Sequence, residues 1–119
     1  DWLVWKGSDT FAPLGPFIVP AEFVADPHTL DIQFTLSGEL MQDANTELMQ
    51  HSVDELVHFV SNNIILRPGD VIATGTPGGV GYARTPPVFM EPGDVARCTV
   101  EGIGTLTNPV RNWLDVMPR

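Results

Sequence analysis

Apolar and polar positions alternate along "LDIQFTLSGELMQD", with Leu30, Ile32, Phe34 and Leu36 set against Asp31, Gln33 and Thr35. A period of two is that of a strand with one buried face, and "SGE" reads as the hairpin turn into "LMQD". The period changes in "HSVDELVHFVSNN", where Val53, Leu56, Val57 and Val60 have helical spacing. Ser52 with Glu55 forms a capping box there, and Asp54 and Glu55 favour the positive helix N-terminus. This is the one substantial helix the pattern predicts, with Asn62 and Asn63 suited to its C-terminal end. "LRPGDVIA" and "MEPGDVAR" repeat one device, a Pro-Gly turn feeding a strand of Val, Ile or Ala. "VARCTVEG" and "GTLTNPV" predict a closing hairpin around Gly102 and Gly104, and "RNWLDVMPR" a short helical turn or a frayed tail.

Eleven Gly and eleven Pro in 119 residues agree with many short strands joined by specified turns. The fold class predicted is mainly β with one substantial helix, an α+β chain of one domain at most. A formal charge of -9 with only six Lys plus Arg leaves no basic face for DNA or RNA, so nucleic acid is excluded as a partner. The apolar runs are far shorter than the roughly 20 residues of a spanning helix, and the acidity disfavours an anionic membrane surface. With a single cysteine and no charged-then-apolar opening segment, a cytoplasmic location is expected. Cys98 falls among strand residues and is read as a small packing side chain, not a nucleophile.

"VIATGTPGGVG", residues 71–81, is the stretch whose chemistry needs deciding. It has neither the lysine of a phosphate loop nor the following helix of a dinucleotide fingerprint, because "YARTPPVFM" runs on with two prolines. Two readings remain. The backbone at Gly75, Gly78, Gly79 and Gly81 either makes a specialised turn at a sheet rim, or passes close to a ligand. In the second case it offers amide donors and the Thr74 or Thr76 hydroxyl to an anionic oxygen.

Lys6, between "DWLVW" and "GSDT", is the second candidate. Indoles at Trp2 and Trp5 would disfavour its charged form and suit it to proton transfer, whereas a snorkelling surface lysine is the commoner origin of such a pattern. His28, His51 and His58 are scattered without metal-ligand spacing and read as structural. The acids of "ELMQDANTE" and "DEL" make no recognisable metal loop and read as a solvated face.

In order along nearly the whole chain, "KGSDTFAPLGPFIV", "LDIQFTLSGELMQDANTELMQ", "LRPGDVIATGTPGGVG", "PPVFMEPGDV" and "EGIGTLTNPV" resemble the fumarylacetoacetate hydrolase family. The resemblance is to the bacterial branch with acylpyruvate and fumarylpyruvate hydrolases and the isomerase/decarboxylase enzymes of aromatic catabolism. It implies a mixed β-roll, usually a homodimer, acting on 2-oxo carboxylic acids with Mg²⁺, Mn²⁺ or Ca²⁺. It implies that Lys6 is the active-site lysine and that Thr10 lies in or beside the metal shell. Thr76 would contact substrate, with the Gly78 and Gly79 backbone passing close to it. The family's Glu-x-Glu pair and metal-binding Asp precede the lysine, and only five residues precede Lys6 in this chain. Residues 1–119 are therefore expected to be a partial catalytic domain, its roll incomplete at the N-terminal side and its carboxylate ligands upstream of residue 1. Asp1 stands too close to Lys6 to match the family's aspartate. The expected activity of the complete enzyme is metal-dependent C–C hydrolysis of acylpyruvate-like 2,4-dioxo acids. The alternatives are an isomerase or decarboxylase of 2-oxo dicarboxylic acids, or a non-catalytic partial domain that binds a partner or a small carboxylate.

Overall fold

A computed structural model describes residue 4 and residues 6–116. Strands β1 (Asp31–Leu36) and β2 (Glu39–Asn45) form the predicted hairpin, with Ser37 and Gly38 between them. Both turn residues have positive φ, 50° and 90°, as a two-residue turn that follows the strands' twist requires. The expected alternation holds on β1, where Ile32 and Phe34 are half-buried and Leu36 is buried, while Asp31 and Gln33 are exposed.

Pairing along this hairpin is irregular at one point. Phe34 opposes Gln42 and Thr35 opposes Leu40, so Met41 is an extra residue on β2, a β-bulge. Met41 and Leu36 are the buried hydrophobic side chains of the described residues, at 6% and 8% exposure.

Strands β3 (Val95–Val100) and β4 (Gly104–Pro109) are the predicted closing hairpin. β3 also pairs with β1, and the four-stranded antiparallel sheet has the order β2-β1-β3-β4. Pro109, which has no amide proton, sits at the end of β4, the strand at one margin of this order.

Helix α1 (Val53–Ser61) begins at the predicted capping box: Glu55 N–H donates to Ser52 Oγ at 3.2 Å, and Ser52 N–H to Glu55 Oε2 at 2.8 Å. Val53 N–H donates to His28 Nε2 at 2.9 Å, which satisfies a further amide of the first helical turn. His28 accepts that bond through Nε2, and its Nδ1 lies 3.3 Å from Asp26 Oδ1. A single-turn helix, α2 (Trp113–Val116), forms within "RNWLDVMPR".

One predicted strand is not formed. Both Pro-Gly-Asp turns close alike, with Asp70 N–H on Arg67 O at 3.0 Å and Asp94 N–H on Glu91 O at 3.0 Å. Each aspartate carboxylate also accepts from the first amide of its turn, Arg67 N–H at 2.7 Å and Glu91 N–H at 2.8 Å. Only the second turn leads into a strand, β3. Residues 71–74 join no ladder among the described residues, and Val71 is 67% exposed. Sequence propensity favours a strand there, but a strand exists only through a partner's backbone, and none of the four strands pairs with it. Trp2, Trp5 and Asp1 lie outside the described residues, so the expected packing of Lys6 against the indoles does too.

Much apolar surface is uncovered: Ile18 is 87% exposed, Ile65 80% and Phe23 74%.

Candidate active site

The glycine loop is fastened to the bulged strand by two side chains. Gln42, next to the bulge on β2, directs its amide at the loop: Nε2 donates to Thr76 Oγ1 at 2.9 Å, to Pro77 O at 2.8 Å and to Gly78 O at 3.3 Å. Arg84, just beyond the loop, donates from Nη2 to Met41 O at 2.6 Å and from Nε to Gly79 O at 3.2 Å. Gly79 has a φ of 97°, and a Cβ there would run into the carbonyl oxygen of Met41. Only glycine lets the loop lie this close to β2.

Thr76 of the docked loop and Lys6, distant in sequence, line one cleft of about 200 Å³. Phe34, Leu36 and Met41 form its apolar floor, and Gln42 and Gly79 contribute to the polar side. Among the described residues that line it, Lys6 is the only ionisable one and no carboxylate is present. A lysine and a hydroxyl on one cleft are groups suited to an anionic oxygen.

The other expected site residues are placed differently. Gly78 does not line the cleft; its carbonyl serves the Gln42 clamp. Thr10 lines a separate cavity of about 570 Å³ beside Trp113 and Arg111, and Met90 borders both spaces. The φ of Thr10 is 69°, a region that strains a β-branched residue. Thr76 also borders a third recess, of about 290 Å³, together with His51 and Thr74.

Titration behaviour is altered away from the cleft. The Ser52 backbone N–H holds the Glu55 carboxyl below its usual value, and the Glu91 backbone N–H does the same for Asp94, helped by Ser37 Oγ at 2.6 Å. Burial pushes the Cys98 thiol on β3 up, which disfavours its thiolate. No group of three or more His, Cys, Asp or Glu able to hold a metal ion occurs among the described residues. Nor is any helix among them long and apolar enough to cross a membrane.

Gln42 and Arg84 were not singled out by the sequence pattern. Strict alternation treats Gln42 as one more polar strand residue, and only the bulge shows where its amide goes. Arg84 had a weak signal, as one of six Lys plus Arg residues and the first of them after the glycines.

Residues 1–111 match the fumarylacetoacetate (FAA) hydrolase C-terminal family, and the chain belongs to that family. It is similar to the oxaloacetate tautomerase FAHD2B, mitochondrial, of Bos taurus, with 50% identity over 110 residues, covering 92% of this chain and 35% of the relative. Among solved structures it resembles the fumarylacetoacetate hydrolase of psychrophilic Exiguobacterium antarcticum, with a TM-score of 0.84 and 43% identity over 87% of this chain and 37% of that one. It also resembles the maleylpyruvate hydrolase of Sphingobium sp. SYK-6 in complex with manganese(II) and pyruvate, with a TM-score of 0.77 and 39% identity over 87% of this chain and 36% of that one. The chain spans about a third of the length of the curated relatives it matches. The fold class expected from the sequence, α+β of this family, is the one found. The Bos taurus relative is described as mitochondrial, so the cytoplasmic compartment read from this sequence does not extend to it.

Proposed function

We propose that this chain forms one wall of the active site of an enzyme that enolises 2-oxo carboxylic acids, and that its reaction is keto–enol tautomerisation of a 2-oxo dicarboxylate such as oxaloacetate. The observation that carries this reading is the cleft shared by Lys6 and Thr76, bordered by the glycine loop at Gly79 and Gly81. Tautomerisation moves a proton between C3 and the 2-oxo oxygen and passes through an enolate. The Lys6 side chain stabilises the negative oxygen or carries the proton, and the Thr76 hydroxyl donates to the same oxygen or the adjacent carboxylate. The similarity to an oxaloacetate tautomerase supports this reaction over others that use the same enolate.

The second reading is hydrolytic C–C cleavage of an acylpyruvate, in which the pyruvate enolate is the leaving group. The manganese- and pyruvate-bound maleylpyruvate hydrolase favours it. Both readings call for a divalent cation, Mg²⁺ or Mn²⁺, which would polarise the 2-oxo carboxylate when bound. The described residues do not build a metal site, so no step is assigned to one. Its carboxylate ligands are proposed to come from polypeptide beyond these 119 residues, in a complete protein that pairs as a homodimer.

The test is turnover of enol-oxaloacetate by the complete protein, followed by loss of enol absorbance, beside release of pyruvate from an acylpyruvate. Lys6→Ala and Thr76→Ala are each expected to lower kcat by about a hundredfold. Undiminished turnover of both substrates by both variants would remove the assigned roles. Saturable carboxylate binding without any turnover would instead mark a non-catalytic binding domain.

A further inference from the structure

We propose that Gln42 is a positioning residue, which fixes the Thr76 hydroxyl as a hydrogen-bond donor toward the substrate oxygen; this rests on the function proposed above. An amide nitrogen has protons and no available lone pair, so an oxygen 2.9 Å from Gln42 Nε2 can only accept. Thr76 Oγ1 thus spends a lone pair on Gln42, and its own proton is left for another acceptor. The orientation of the amide is not arbitrary, because the same nitrogen meets the carbonyls of Pro77 at 2.8 Å and Gly78 at 3.3 Å. Turning the amide over would set its oxygen against both.

Gln42 is also well placed to hold a hydroxyl still. It is half-buried, stands on a strand rather than a loop, and adjoins the bulge whose carbonyl receives Arg84 at 2.6 Å. Gln42 and Thr76 line the same cleft, so the donor that Gln42 creates borders the space a 2-oxo acid would enter. A freely turning threonine hydroxyl would present a lone pair to an anionic oxygen for part of the time. A threonine already occupied as acceptor avoids that repulsion, and the gain is greatest when the oxygen becomes an enolate.

The experiment uses four versions of the complete protein: the parent, Gln42→Met, Thr76→Val, and the double variant, each checked for an unchanged melting transition. With enol-oxaloacetate, or an acylpyruvate if that is the substrate turned over, Gln42→Met is expected to lower kcat by about tenfold to a hundredfold. KM should change by less than about threefold, because the contact strengthens in the transition state. In the Thr76→Val background the same change should cost less than about twofold, since the group it positions has gone. Losses that multiply in the double variant, or an undiminished kcat in Gln42→Met, overturn the proposal. Gln42→Glu, of the same shape, serves if Gln42→Met does not fold. Its carboxylate would accept from Thr76 and take the proton away from substrate, so it should lose as much. If the parent turns over neither substrate, the functional reading fails separately, and oxalate binding by calorimetry decides the matter on the same four proteins. Coupled losses of affinity support the positioning role; equal affinities, or no binding to the parent, overturn it.

Discussion

The Arg84 guanidinium joins the carbonyl of Met41, 2.6 Å from Nη2, to the carbonyl of Gly79, 3.2 Å from Nε. Met41 is the residue that the β1–β2 register leaves without an opposite number, so the bulge presents its carbonyl to the loop and the arginine bridges the two. The irregularity in the sheet is thereby the anchor of the site.

Removing that bridge should loosen the loop without disturbing the sheet. Arg84→Met is expected to destabilise the complete protein by about 2 kcal/mol, the scale of losing a charged hydrogen bond to the part-buried Met41 carbonyl and an exposed one to Gly79. Arg84→Lys, a point charge without the fork, should recover less than half of that. Denaturant midpoints of the three proteins measure both values, and equal midpoints would mean that the bridge carries no stability.

Two glycines of the same loop should respond differently to alanine. Gly79 combines a φ of 97° with a Cβ position that strikes the Met41 carbonyl, whereas Gly75, at 107°, has nothing within 4 Å of that position. Gly75→Ala should cost about 1–2 kcal/mol from backbone strain alone, and Gly79→Ala more than that, together with loss of turnover as the loop lifts from β2. Thermal melts and kcat of the two variants give the ranking; the reverse order would contradict the close approach.

Acid should weaken the protein at two named turns. The Glu55 and Asp94 carboxyls are held below their usual values chiefly by the backbone N–H groups of Ser52 and Glu91. A carboxyl whose folded value is depressed adds stability that is complete above its unfolded value and disappears as pH falls through the folded one. The thermal midpoint should therefore be insensitive to these groups above about pH 5 and decline below about pH 4. In Glu55→Gln with Asp94→Asn the decline should be shallower. Both carboxyls are solvent-exposed, so the difference is small, and superimposable profiles would show that they contribute nothing.

Residues 1–119, expressed alone, should behave as an unfinished fold. With Leu36 and Met41 buried and Ile18, Ile65 and Phe23 open to water, the chain is expected to bind an apolar dye and to self-associate. Dye fluorescence and light scattering against the complete protein measure this. A monodisperse chain that melts cooperatively and ignores the dye would contradict it.

The elements legible in the sequence are those whose cause is local. Alternation from Leu30 to Leu36 with Ser37-Gly38 after it determined the first hairpin, and Ser52 with Glu55 determined where α1 begins, since each depends on residues a few positions apart. The two Pro-Gly-Asp turns were legible for the same reason. Residues 71–74 were not, because a strand needs a partner supplied from elsewhere and local preference cannot provide one. The chemical content of the site divides in the same way. Lys6, Thr76 and the glycine loop were recognisable as motifs, but that Lys6 and Thr76 face one cleft was decided by how the loop docks on β2. That docking depends on a one-residue bulge at Met41, on Gln42 and on Arg84, contacts between segments more than thirty positions apart whose hydrogen bonds form only once the sheet is assembled.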